Sequence, residues 1–291
     1  MDFRAIFMGL AFVLMWSSAF TSARMIVLDA PPMTALAARF LISGLIGVAI
    51  ARAVGQSWHL TKAQWRSVVV FGLCQNALYL GLNFVAMQWV EASVASIIAS
   101  SMPLLVALLG WLFLRQRVRP LGVLGLIVGM AGVVIIMGAR ISGGVSLMGL
   151  ALCMLGALAL AVATLTARSA SSGGNVLMIV GLQMFVGAAV LATAALLTER
   201  GLPIDWSSRL VLAFAYTTVV PGLLATWVWF CLVARIGAVR AATYHFLNPF
   251  FGVLVAALLL GERLGAGDVI GVVIVAAGIL AVQLSKQPAG A

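Results

Sequence analysis

Long apolar stretches alternate with short polar breaks along the whole chain, and this rhythm decides the fold class. A helix of about 20 apolar residues crosses a bilayer. By that rule the pattern predicts spans near residues 5–25, 33–54, 67–89, 92–114, 120–139, 146–167, 175–197, 209–233, 238–260 and 266–284. The expected fold is an all-α integral membrane protein with ten transmembrane helices. The connections leave no room for a soluble domain. The longest polar break, Arg52 to Arg66 with Trp58, His59 and Lys62, reads as a short amphipathic piece at the interface.

The pattern also repeats. A shift of 146 residues lays Pro103 on Pro249, Arg117 on Arg263, Gly125 on Gly271 and Gly132 on Gly278. At an offset of 144, Arg24 and Arg39 align with Arg168 and Gln183. The first span ends in Ala19-Phe20-Thr21-Ser22-Ala23, which loosely imitates a cleavage site, but its counterpart in the second half marks it as a retained span. The expected halves are residues 1–140 and 141–291. Each holds five spans, an odd number, so the second half is expected upside down relative to the first. Inverted repeats offer two near-equivalent states, open to either side, which is the basis of alternating access.

Charge sets the expected direction. With the N-terminus inside, Arg4, Arg52, Lys62, Arg66, Arg115, Arg117, Arg119, Arg168, Arg235, Arg240 and Lys286 are cytoplasmic, against Arg24, Arg140, Arg200, Arg209 and Arg263 outside. The positive-inside bias therefore places both termini in the cytoplasm.

Composition sharpens what the pattern excludes. The 291 residues are 64% hydrophobic and 8% charged, too apolar for a soluble domain of this length. The net charge of +10 is scattered over loops, so the expected partners are the bilayer and a small-molecule substrate, with no nucleic acid. Cys74, Cys153 and Cys231 sit inside apolar runs without metal-ligand spacing and read as core packing. No Walker loop, metal cluster, nucleophile elbow or paired carboxylates occur, so neither a cofactor nor an enzyme activity is expected.

Polar side chains in hydrocarbon are costly and tend to face a bundle interior or a wet cavity. Gly72, Asn76, Tyr79 and Asn83 fall on one helical face and are candidates to line a substrate path, or to tie helices together. The equivalent face near 218–229 is more apolar and carries Trp229. Ser93, Ser96 and Ser100 run into Pro103, and Tyr244, His245 and Asn248 crowd the turn before Pro249. Proline there frees a carbonyl and permits a hinge. Arg39 is the basic residue deepest in a span, placed to bind a substrate carboxylate, or else to snorkel outward or pair with Asp29. Trp16 and Phe20 are candidates to pack an apolar part of the substrate. The faces Gly125-x3-Gly129-x2-Gly132 and Gly267-x3-Gly271 with Gly278 suit close packing, either of the two halves or of a weak homodimer beside the monomer.

The chain resembles the EamA-type transporters of the drug/metabolite transporter superfamily. The resemblance rests on Trp16-Ser17-Ser18-Ala19-Phe20, Ala38-Arg39-Phe40, Ala92 to Pro103 with the following glycines, and the second copy's Pro249, Gly261-Glu262-Arg263, Gly271 and Gly278. It implies a ten-helix exporter or exchanger of amino acids and other metabolites. Where the family shows a Glu-Arg pair, the first copy reads Arg115-Gln116-Arg117, so a carboxylate role carries over only to Glu262.

The expected function is therefore export or facilitated movement of small metabolites, foremost amino acids with apolar or aromatic side chains. Export of drugs and organic cations or of nucleosides is the alternative, and after it a membrane protein that does not transport. Asp2, Asp29, Glu91, Glu199, Asp205, Glu262 and Asp268 all lie at span ends or in loops. Without a deep carboxylate, the expectation is a facilitator, with His245 as the intramembrane proton site if there is one.

Overall fold

The protein is described here by a computed structural model covering residues 2–115, 119–142, 144–166, 175–236, 241, 244–263 and 265–285. Every regular element among the described residues is helical. In chain order these are α1 (Phe3–Asp29), α2 (Pro32–Ala53), α3 (Lys62–Ala86), α4 (92–114), α5 (Pro120–Ser142), α6 (Leu147–Thr166), α7 (Val176–Thr198), α8 (208–236), α9 (Tyr244–Leu260) and α10 (Ala266–Ser285). Nine of them are long and apolar enough to cross a membrane. As described, α9 is a shorter apolar helix; the predicted start of its span at 238 lies outside the described residues. Apolar side chains such as Leu45, Phe113, Ile127, Val134, Leu197 and Leu258 point outward, as hydrocarbon requires. The chain is a multi-pass membrane protein.

Local chemistry starts each helix where it does. Asp2 caps α1 by accepting from Ala5 N at 3.3 Å, and Pro32 opens α2, where its missing N–H costs nothing. Thr61 and Gln64 form a reciprocal capping box at 3.2 and 2.9 Å that starts α3 at Lys62. That box corrects the reading of Arg52 to Arg66 as one interfacial piece. Its second part, Lys62 to Arg66, is the first turn and a half of α3.

Four helices depart from regular α geometry. In α3, Gly72–Leu80 forms a π-helical segment, so the stripe predicted from a 3.6-residue period loses its phase from Gly72 onward. In α8, Val220–Leu224 is π-helical around Pro221, which has no N–H for the normal ladder. α4 breaks between Ser100 and Met102 ahead of Pro103, and α9 opens with a tight 3₁₀ turn, Tyr244–Leu247, ahead of Pro249. The 146-residue offset relates the two proline breaks, and it lays the π segment of α3 over that of α8. It also relates the left-handed residues that end α4 and α9, Arg115 at φ 51° and Gly261 at φ 66°.

Side-chain loss governs how the helices meet. α5 runs against α10, and α2 against α7. An added Cβ at Gly125 would lie 2.8 Å from the carbonyl oxygen of Gly278, and one at Gly132 would lie 2.9 Å from Val275 N. The two glycine faces therefore pack on each other within one chain, the first of the two roles open to them.

Candidate functional site

The loops at the two ends of the bundle are tied across the halves of the chain. At the end remote from the N-terminus, Glu199 accepts the amides of Met33 and Thr34 at 2.9 and 2.8 Å and the Thr34 hydroxyl at 2.7 Å. Glu262 does the same for α4, accepting from Ala92 N and Ser93 N at 2.8 and 2.9 Å. Each carboxylate lies on the open amides and positive dipole of a helix start. Asp29 accepts from Ser207 Oγ at 2.5 Å and from Arg209 Nε at 3.0 Å, with a second, shorter bond from Arg209 Nη2. At the N-terminal end, Arg235 Nε donates to Asp2 at 2.6 Å, and Gln56 Oε1 accepts from Met178 N at 3.0 Å.

Asp29 is therefore committed to Ser207 and Arg209, and of the roles open to Arg39 the pairing with Asp29 does not form. The guanidinium of Arg39 lies inside the bundle, with its residue 7% exposed and its carbon 5.3 Å from the Phe40 ring centre. Glu262 has a role that its sequence position did not specify, since its target is a helix start some 170 residues away.

Between the ends, α1, α8 and α9 bring an aromatic group together. Phe12 and Trp229 have ring centres 4.8 Å apart, Phe12 and Trp16 5.8 Å, and Trp229 and His245 5.3 Å. His245 meets the Phe12 edge at 5.5 Å and an interplanar angle of 89°. Asn248 Nδ2 lies 2.9 Å from His245 Nδ1, and the Asn248 carbonyl accepts from Ser17 Oγ at 3.3 Å. With Nδ1 accepting from the amide, the imidazole carries its proton on Nε2. Tyr244 packs its ring over Gly9, where no side chain stands in its way. Phe20 is buried further along α1, in a different cluster. Of the residues predicted for the site, the structure thus gathers Trp16, Trp229, Tyr244, His245 and Asn248, and adds Phe12. Phe12 is one turn before Trp16, a spacing visible in the sequence but undistinguished there among many apolar neighbours.

The polar face of α3 goes elsewhere. Asn76 donates to Gln183 O on α7 at 3.0 Å, and Gly187 of α7 packs on its Cβ. Asn83 donates to Tyr79 O at 2.8 Å, with Gly156 of α6 against its amide; Tyr79 is buried beside them. Ser100 donates to Ser96 O within its own helix at 2.7 Å. A crevice of about 550 Å³ opens between α2 and α7, but Ala37, Ala188, Ala192 and Leu196 dominate its wall, and it holds none of the residues predicted for the site.

Several buried polar atoms have no protein partner: Thr21 Oγ1, Arg24 Nη1, Arg39 Nε, Ser43 Oγ, Asn83 Oδ1, Ser93 Oγ, Ser96 Oγ and Asn248 Oδ1. An unsatisfied buried group costs about 1–3 kcal/mol. These belong to α1, α2, α3, α4 and α9, helices from both halves of the chain. Such a distribution suits an interior that is polar enough to take water or solute.

Comparison with known proteins places this arrangement. A family model described as the EamA-like transporter family matches residues 3–138 and again residues 147–284. A Bacillus subtilis protein, "Uncharacterized transporter YvbV", is 28% identical over 275 residues, covering 94% of this chain and 90% of the relative. The "Aromatic amino acid exporter YddG" of Ancylobacter novellus is 30% identical over 139 residues, 48% of each chain. A solved crystal structure shares the fold with a TM-score of 0.69 at 22% identity, over 98% of both chains.

Proposed function

This chain belongs to the EamA-like transporter family, and from that premise we propose that it is a secondary transporter for small metabolites, foremost amino acids with apolar or aromatic side chains. The observation that carries the substrate class is the group formed by Phe12, Trp16, Trp229 and His245, with the Asn248 amide beside it. Flat rings with a few fixed polar atoms hold an apolar side chain by stacking and orient the polar end by hydrogen bonds. The half-length likeness to a protein named as an aromatic amino acid exporter agrees with this reading.

The mechanism is alternating access between two inverted halves, 1–140 and 141–291. It is supported by the doubled family match and by the recurrence of proline breaks, π turns and left-handed helix ends at one offset. The ten-span arrangement with both termini in the cytoplasm follows from the charge bias. Ties between the halves stand at both ends of the bundle, so opening either end requires breaking only a few hydrogen bonds to carboxylates or amides. The acidic residues stay at helix ends or in loops, which favours facilitated movement down a gradient over proton coupling.

Counterflow into proteoliposomes, with a panel of amino acids, nucleosides and organic cations, tests this. The expected result is exchange of aromatic and branched amino acids without a pH gradient, reduced in Trp229→Ala and Asn248→Ala. Movement restricted to nucleosides or organic cations overturns the substrate class. Strict dependence on an imposed proton gradient overturns the facilitator.

A further inference from the structure

We propose that Arg39 and Ser43, beside the position at Gly222 that carries no side chain, form an anion subsite that holds the substrate's carboxylate. This deepens the transport reading above and rests on it. Arg39 and Ser43 are one turn apart on α2 and so share a face. Arg39 lies about 10 Å along that helix from its start, at 1.5 Å per residue, well inside the apolar layer.

Across from them is the π-helical turn of α8. A Cβ at Gly222 would lie 3.2 Å from Thr217 O, 3.5 Å from Arg39 Nη2 and 3.9 Å from Ser43 Oγ. The guanidinium and the hydroxyl therefore converge on the one place in that turn where no side chain stands. Pro221 opens the turn and Gly222 leaves it empty of side-chain atoms, so both residues help to make the cradle.

Charge argues for an anion there. A buried guanidinium is normally paired, because an isolated charge in a low-dielectric interior is costly. Among the described residues, Arg39 makes no hydrogen bond and no ion pair. Three acids at the end of the bundle where α2 starts are used elsewhere: Asp29 by Ser207 and Arg209, Glu199 by the start of α2, and Glu262 by the start of α4. Arg39 Nε and Ser43 Oγ are both buried donors without an acceptor. A carboxylate, with two oxygens and one charge, answers both donors and neutralises the cation. One guanidinium matches a monocarboxylate; a phosphoryl group with two charges calls for a second cation.

The aromatic group lies seven residues further along α8, at Trp229, about 10 Å away along the helix. A carboxylate at Arg39 and an aromatic side chain directed toward Trp229 set the length and polarity of the solute. Ser18 and Ser22 of α1 are bonded to Tyr216 and Thr217 of α8 at 2.7 Å each, so α1 is tied to α8 on the far side of Gly222 from Trp229.

The test uses pairs of probes that differ only in the acid: L-phenylalanine against L-phenylalaninamide, and L-leucine against L-leucinamide. Binding is read by titration calorimetry on the purified protein, and exchange by counterflow in proteoliposomes. The wild type is expected to prefer each acid over its amide by about tenfold or more, the range of a charge-assisted hydrogen bond. Arg39→Gln is expected to erase that preference while amide binding persists, and Arg39→Lys to restore part of it. Gly222→Ala leaves the charge in place and fills the cradle with a methyl, and is expected to erase the preference as well. If Arg39→Gln does not fold, Gly222→Ala and Ser43→Ala carry the test. Equal binding of acid and amide by the wild type overturns the subsite, as does an unchanged preference in folded Arg39→Gln or Gly222→Ala. A wild type that moves solutes without preferring acids removes the subsite and leaves the transporter standing; one that moves none removes both.

Discussion

Glu262 accepts the backbone amide of Ala92 at 2.8 Å, and so a residue near the end of the chain holds the first turn of a helix in its first half. The same carboxylate takes the amide of Ser93 at 2.9 Å. Arg24, on α1, lies within the electrostatic reach of both Glu262 and Glu91. A helix start has open donors and positive dipole charge, and removing a cap of this kind costs about 1–2 kcal/mol. Glu262→Ala is expected to lose that much in thermal or denaturant unfolding, and Glu262→Gln roughly half of it, since the amide oxygen still accepts but carries no charge.

The α5–α10 contact has no room for a methyl group. An added Cβ at Gly278 would lie 2.5 Å from Gly129 N and 2.7 Å from Gly125 O, both backbone atoms that cannot rotate away. Gly278→Ala is expected to destabilise the fold by about 1–3 kcal/mol. Size-exclusion profiles and melting curves of the purified protein check this, with Gly138→Ala as the control because its Cβ meets nothing.

Arg115 ends α4 in the left-handed region, at φ 51°, where Gly261 ends α9. A residue with a Cβ pays about 1 kcal/mol for that backbone, and glycine does not. Arg115→Gly is expected to raise the unfolding free energy by up to that amount, read as a shift in the denaturant midpoint.

Asn76 and Asn248 are both buried amides, and they are expected to fail differently. Asn76 has its donor on Gln183 O, tying α3 to α7, so Asn76→Ala lowers stability by about 1 kcal/mol with little change in the concentration dependence of flux. Asn248 stands beside the aromatic group with a free Oδ1, so Asn248→Ala raises the half-saturating solute concentration several-fold in counterflow.

At the N-terminal end, the hydrogen bond from Arg235 holds the Asp2 carboxyl below its ordinary value of 3.8. A depressed acid contributes its stabilisation above the unfolded value and loses it as pH falls through the folded one. The α1–α8 clasp is therefore intact at neutral pH and opens only in acid. Arg235→Ala is expected to bring Asp2 back toward 3.8, read from the carboxyl carbon shift of labelled aspartate.

Much of the architecture is written openly in the chain. Apolar runs locate the helices, and Pro103, Pro249 and Pro221 mark real departures from α geometry, since a missing N–H acts locally. Pairings between helices are less visible. Apolar residues surround most of these helices, so the glycines of α5 do not announce that α10 is their partner. The π segment of α3 contains no proline, and a stripe counted at 3.6 residues per turn loses its phase across it. Arg39 and Ser43 are adjacent on a helix wheel, but Gly222 joins them only through the fold. Phe12 was hidden for the opposite reason, being one apolar residue among many.

The wide turn in α8 stores a surplus of chain. Passing that surplus along the helix turns each residue it passes by about 100° around the helix axis and leaves the rest in place. Gly222 lies inside the turn and Trp229 lies beyond it, so a surplus that travels from Gly222 past Trp229 reshapes the surroundings of Arg39 and swings the indole relative to His245. The two ends of the solute would then be released by one swivel in a single helix rather than by two separate movements.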